Sequence, residues 1–170
     1  MDTNKKFYSI SQILLHWTTA LLVFYQLAVN ADIKKTYKLF LENGEWPSML
    51  SSQTITHLIL GFIILILVLM RLYLRLTIKV PALPNQVPVQ LKLLAKASHY
   101  LLYFFLLLMP LSGALGWFTD LKFAILIHTF SAKILLALIL FHICAAIFHE
   151  GVLGNKILRR MFQTEEKLKR

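Results

Sequence analysis

Four stretches of the chain are almost unbroken runs of apolar residues, at about 11–29, 55–76, 97–118 and 122–148. Each is near or above the roughly 20 residues that an α-helix needs to cross a bilayer, and the last is long enough to tilt. The pattern predicts an all-α protein, a four-transmembrane-helix bundle forming a single membrane domain over 1–170. Small residues do not close the first stretch as they would a cleavable signal peptide, and His16 and Trp17 interrupt its apolar core, so it reads as a retained helix.

The connections carry their own signals. Pro81, Pro84 and Pro88 break up the second one. It resumes over Val89–Ser98 with Leu91 and Leu94 set against Lys92 and Lys96, the alternation of a short interfacial lead into the third helix. Pro110 is expected to kink that helix and to free backbone groups that Ser112 or a neighbouring helix satisfies. Gly113 and Gly116 have the spacing of close helix approach, with direct contact to a cofactor as the alternative. Between the first two helices, Asn43-Gly44-Glu45-Trp46-Pro47 reads as turn-rich surface. Trp17, Trp117, Tyr100 and Tyr103 fall near segment ends, as an aromatic belt does.

Composition narrows the class. At 170 residues and 58% hydrophobic, the chain is too short and too apolar for a soluble multidomain enzyme. Its net charge of +10 is unevenly placed. Lys5, Lys6, Arg71, Arg75, Lys79, Lys92, Lys96, Lys156, Arg159, Arg160, Lys167, Lys169 and Arg170 all fall on one side of the predicted topology. The opposite side balances Lys34, Lys35 and Lys38 against Asp32, Glu42 and Glu45. Both termini are therefore expected in the cytoplasm. The charge is an orientation signal, with contact to anionic lipid as a second use, rather than a nucleic-acid footprint, for no basic patch with interleaved aromatics sits on a soluble module.

Candidate chemistry lies with histidine. His16, His57, His128 and His142 sit inside the apolar stretches, and ionisable groups in such places are functional candidates. His128 and His142 are 14 positions apart, almost four turns and about 21 Å of helix, so they leave one face at two depths. The first helix runs opposite to the fourth, which brings His16 to the depth of His142 and His57 to the depth of His128. A small residue follows each by four positions, Ala20, Gly61, Ala132 and Ala146, leaving room for a flat cofactor on the same face. Two imidazoles on one haem iron give a six-coordinate centre suited to electron transfer. Four would hold two haems. For any one of these residues an interhelical hydrogen bond is the competing role.

Other residues stay open. His99 is an interfacial histidine or part of a quinone pocket on the side of Arg75, and His149 is interfacial or an alternative partner for His16. Arg71, 14 positions after His57, is either a haem-propionate partner or a topological anchor, and Arg75 leans to the latter. Lys133, in the middle of an apolar run, is expected to snorkel toward Asp120 or a propionate, or to draw an anionic donor to the outer site. Cys144 is the sole cysteine and reads as a small core residue. With no Cys-x-x-Cys-His attachment, any haem is non-covalent, hence b-type. No Gly-rich nucleotide fingerprint or Walker motif is present, which argues against direct use of a nicotinamide.

Ile13-Leu14-Leu15-His16-Trp17, His57 with Gly61, Leu69-Met70-Arg71-Leu72 with Arg75, Ser98-His99 through Met109-Pro110-Leu111-Ser112-Gly113, and His128 with His142 together resemble the prokaryotic cytochrome b561 family. More distantly the chain resembles the diheme cytochrome b subunits of membrane hydrogenases and formate dehydrogenases. The resemblance spans nearly the whole chain. It implies four helices holding two haem b groups, with His16 paired to His142 and His57 to His128, and electron exchange with ubiquinone. Oxidation of superoxide on the outer side is one activity it implies. The long outer loop and Lys133 fit the pattern least.

Two other classes compete. The chain could be the membrane anchor of a peripheral dehydrogenase, passing electrons between that partner and quinone. A proton or metal transporter fits less well, because the four apolar stretches contain no Asp or Glu and no repeat with broken helices.

Overall fold

A computed structural model describes residues 7–78, 80–81, 84, 87–155 and 157–163. Within them the chain is helical, with no strand. Its helices are α1 (Ile10–Ala28), α2 (Ala31–Asn43), α3 (Ser52–Thr77), α4 (Val89–Thr119) and α5 (Lys122–Gly151), followed by one 3-10 turn at Arg159–Met161. Of the basic residues used to orient the chain, Lys5, Lys6, Lys79, Lys156, Lys167, Lys169 and Arg170 lie outside the described residues.

Four helices, α1, α3, α4 and α5, are long and apolar enough to cross a membrane. Little of each is covered by its neighbours. Leu21, Leu69, Phe104 and Ile147 are among the large apolar side chains that stay exposed on them. A continuous apolar surface of this kind matches hydrocarbon, not water. The chain is a multi-pass membrane protein with lipid around its four spans.

Sequence sets the ends of these helices. Ser9 caps α1 with a full capping box: its hydroxyl accepts from Gln12 N, and Gln12 Oε1 accepts from Ser9 N. Ser51 caps α3 through Thr54 N. Asn43-Gly44 does form a turn, with Gly44 at φ +79° closing α2, a backbone angle that glycine takes without strain.

The 31–43 segment corrects the expectation of a loop. It is amphipathic rather than apolar, so it lacks the signature of a span yet still buries one face: Thr36 and Phe40, one turn apart, are both buried. Thr36 and Thr54 share a buried hydroxyl hydrogen bond of 3.1 Å that fastens α2 to α3. Phe40, 1% exposed, stacks on Trp46 at 4.1 Å between ring centroids, and Trp46 in turn packs on Trp117 at 4.2 Å. Trp46 is therefore a packing residue as well as part of a turn, and its Nε1 donates to Asp120 Oδ1 at 2.7 Å.

Three further expectations change. The 89–98 segment is not a separate interfacial lead but the first three turns of α4, which runs unbroken through Pro110. Ser112 Oγ donates to the carbonyls of Leu108 and Met109 beside that proline. Cys144 is exposed, facing away from the core, because it falls on the outer face of α5. Trp17 is more than a belt residue, since its Nε1 donates to Met161 O at 2.8 Å and its ring packs on Phe162.

The bundle thus has two distinct ends. At one, α2 and the Trp46–Trp117 stack cover the start of α3 and the turn into α5. At the other, the starts of α1 and α4, the end of α3 and the segment after α5 converge, with Gln12 Nε2 donating to Ile78 O. Tyr8 sits at this terminal end, where burial pushes its phenol pKa up against the opposing pull of Arg75 and Arg160. Between the ends lies one apolar cluster of Val23, Ile64, Val68, Leu106 and Leu135.

The closest backbone approaches are α4 with α5, α1 with α3, and α3 with α4. Gly116 makes the α4–α5 contact possible: a Cβ there would overlap the Ile125 side chain and come to 3.1 Å from its backbone nitrogen. At Gly61, by contrast, a Cβ meets nothing within 4 Å. Gly116→Ala should lower stability by about 1–3 kcal/mol, the usual effect of overpacking, and Gly61→Ala should not. Thermal unfolding of the two variants in the same detergent checks the difference.

Candidate functional site

α5 supplies one histidine to each of two facing pairs, and the partners come from α1 and α3. His142 faces His16 with ring centroids 6.4 Å apart, and His128 faces His57 at 6.2 Å. The two expected pairs are the two observed pairs. Leu135 lies midway between His128 and His142 in sequence, so the apolar cluster separates one pair from the other. α5 approaches neither α1 nor α3 as closely as it approaches α4. The imidazoles therefore look at each other across gaps between helices rather than across packed backbone.

The spacing has a chemical meaning. Two imidazoles on opposite sides of one metal ion, with bonds of about 2 Å and roughly 1.1 Å more from nitrogen to ring centre, have centroids about 6.3 Å apart. Both pairs match this. Among the described residues no three His, Cys, Asp or Glu side chains converge as a site for a bare metal ion. Two facing imidazoles without a converging third ligand of this kind would suit a metal whose other ligands come from a porphyrin.

At the α2 end the pair lines a cleft of ≈ 120 Å³, bordered also by Gly61, Gly113 and Trp117. His128 Nδ1 donates to the Met109 carbonyl at 2.7 Å. That bond fixes the tautomer and leaves the Nε2 lone pair free, the state a metal-binding imidazole needs. Gly113 faces the same ring: a Cβ on it would lie 2.9 Å from His128 Nδ1. Of the two uses considered for the glycine pair, Gly116 serves helix packing and Gly113 serves the histidine. His57 Nδ1 is buried and without a hydrogen-bond partner among the described residues. Its backbone carbonyl accepts from Gln26 Nε2 of α1 at 2.8 Å.

The terminal end is more polar. Arg71 Nη2 lies 2.9 Å from His16 Nδ1. Arginine can only donate, so Nδ1 accepts and the proton of the neutral ring is on Nε2. Arg71 and Arg75 both lie over the Tyr103 ring, at 5.7 and 5.5 Å from its centroid. His99, one turn before Tyr103 on α4, donates from Nδ1 to Ala95 O at 2.6 Å and meets His142 edge-on at 5.2 Å. That distance is too short for a metal between the two rings.

Several expected residues lie elsewhere. His149 is buried against the segment after α5, with Asn155 Nδ2 at 3.3 Å from its Nδ1, so His142 and not His149 is the ring opposite His16. Lys133 is exposed on α5 and has no hydrogen bond or ion pair among the described residues; Asp120 is taken by Trp46 instead. His99 and Arg75 thus belong to one cluster and Lys133 does not. Gln26 and the Met109 carbonyl escape a reading of sequence alone. The first is signalled only by being an amide inside an apolar helix, and the second is backbone, with no side-chain signal.

The family model for prokaryotic cytochrome b561 matches residues 8–164. The chain belongs to the prokaryotic cytochrome b561 family. It is also similar to cytochrome b562 of Cereibacter sphaeroides, with 29% identity over 161 residues that cover 95% of this chain and 98% of the relative. Membership makes the chain a membrane cytochrome b of electron transport that binds haem b. The imidazole pairs fit that group in spacing and, at His128, in tautomer. Gly113→Ala should push the His128 ring off Met109 O and weaken haem binding by about 10-fold or more. Titration of the haem-free protein with haem, followed by Soret absorbance, tests this against Gly151→Ala, outside the cleft and with nothing within 4 Å of an added Cβ.

Proposed function

We propose that this cytochrome b561 family member holds two haem b groups, one between His16 and His142 and one between His57 and His128, and carries single electrons between a donor at the α2 end and ubiquinone at the terminal end. When bound, the groups supply one-electron carriers with no open coordination position. The observation that carries the reading is the pair of centroid distances, 6.4 and 6.2 Å, each the separation of two imidazoles on one iron.

The chain's own residues do the rest. Met109 O orients His128, and Gly61 and Gly113 keep the cleft open for a flat ring. For His16 to ligate through Nε2, its proton moves to Nδ1, and Arg71 must then turn to another, anionic partner. A haem propionate has the matching two-oxygen geometry. Phe40, Trp46 and Trp117 exclude water at the α2 end. His99, Arg75 and Tyr103 supply the polar groups for a quinone headgroup at the other.

Positive charge favours the terminal end as the cytoplasmic one. Arg71, Arg75, Lys92, Lys96, Arg159 and Arg160 gather there, whereas the α2 end carries acids and bases in balance. Both termini are then cytoplasmic in the bacterial inner membrane, and the donor, with superoxide the small-molecule candidate, approaches from the periplasm.

Haem quantified per purified chain, with the reduced-minus-oxidised spectrum, tests the reading. Two haems are expected in the natural protein and one each in His142→Ala and His128→Ala. A single haem in the natural protein, or unchanged content in both variants, overturns it.

A further inference from the structure

Among the described residues, two buried side-chain polar atoms have no hydrogen-bond partner, and both belong to one pair of residues: Gln26 Oε1 and His57 Nδ1. The pair is already joined, since Gln26 Nε2 donates to the His57 carbonyl at 2.8 Å. Each orphan is the complement of the other. A carboxamide oxygen accepts, and a neutral imidazole that offers Nε2 to a metal carries its proton on Nδ1 as a donor. Leaving both unpaired in an apolar bundle would incur the desolvation cost of each group with no hydrogen bond to offset it.

We infer that the Gln26 side chain is the positioning residue of His57: its amide nitrogen stays on the His57 carbonyl while Oε1 accepts a hydrogen bond from Nδ1–H. The inference rests on the proposed ligation of haem by His57 and His128. It makes the two imidazoles of that pair equivalent in kind, each with Nδ1–H held by a neutral carbonyl oxygen, Met109 O for His128 and Gln26 Oε1 for His57. The difference lies in how each is supplied. Met109 contributes backbone, which no substitution removes, whereas Gln26 contributes a side chain from α1, the helix that also carries His16. The α1–α3 contact is thereby tied directly to the basicity of one axial ligand.

An acceptor on Nδ1–H makes an imidazole a stronger donor and tunes the metal it holds. A stronger donor favours ferric over ferrous iron, so loss of the acceptor raises the reduction potential of that haem. The test is redox titration of the two-haem protein as natural chain, Gln26→Met and Gln26→Glu, with haem dissociation into apomyoglobin measured in parallel. Gln26→Met keeps the length of the side chain and removes both polar atoms. It should raise one potential, leave the other in place, and speed loss of one haem about 10-fold. Gln26→Glu keeps the acceptor but loses the donor to the His57 carbonyl. It should hold that potential at or below the natural value and retain the haem.

A purely structural tie between α1 and α3 is lost equally in both variants. Shifts of the same sign and size in the two, or no shift in either, overturn the role of Gln26. The His128→Ala variant keeps the two ideas apart. If it still binds two haems, the ligation reading fails. If it binds one while Gln26→Met leaves both potentials unmoved in the otherwise natural chain, only the inference about Gln26 fails. Should Gln26→Glu not assemble, Gln26→Leu beside Gln26→Asn replaces the pair, the asparagine keeping a shorter carboxamide.

Discussion

A neutral imidazole in hydrocarbon has two nitrogens to account for, one that donates and one that accepts, and no water to take either. That constraint organises the interior of this bundle. At His128 the donor goes to Met109 O, and at His99 it goes to Ala95 O, so in both rings the partner of Nδ1 is a backbone carbonyl. For His128 the carbonyl comes from α4, the helix in most extensive contact with α5, whereas His99, on α4 itself, uses the carbonyl one turn back in its own helix. Gly116 allows that approach, and Gly113 leaves space for the imidazole one turn away. The tight hairpin and the oriented ring are therefore one arrangement.

The same packing explains why a gap exists at all. α4 holds α5 on one side and α3 on the other, which leaves α5 facing α1 and α3 at longer range. Two histidines on α5 look into that interval from two depths, and the layer of Val23, Ile64, Val68, Leu106 and Leu135 fills it between them. In a low-dielectric layer of this kind charges on the two sides interact strongly, since nothing screens them. On the proposed two-haem reading, an electron carried at one depth is felt at the other.

Much of this was legible in the chain, for identifiable reasons. Membrane spans are read by length and apolarity, and these four have both. The pairing of His16 with His142 and of His57 with His128 follows from helix rise and antiparallel direction, which depend little on side-chain detail. α2 was illegible as a helix because half of its surface is polar and the Asn43-Gly44 turn dominates the local signal. Its Thr36 and Phe40 are meaningful only once Thr54 and Trp46 are in place. Cys144 misled because residue type was allowed to stand for position: a small thiol is usually buried, but its place on the outer face of α5 exposes it. Lys133 and Asp120 were linked by charge alone, and a tryptophan indole 74 positions from Asp120 took the carboxylate instead.

The two ends also differ in the sign of what surrounds the rings. At the α2 end the neighbours of the imidazoles are carbonyl oxygens, aromatic rings and glycines, all neutral. At the terminal end the nearest polar neighbour of His16 is a guanidinium, with a second one over the same tyrosine ring. A fixed positive charge beside a one-electron centre stabilises the state with the extra electron, and more so where solvent does not screen it. On the proposed two-haem reading, Arg75, together with the part of the Arg71 charge that a propionate leaves uncompensated, favours the reduced state of the terminal-end centre over that of the α2-end centre. Polarity of this kind needs no moving part. It follows from placing arginine on the last turns of α3 and keeping the first turns free of charge, a distribution that positive-inside topology would favour in any case.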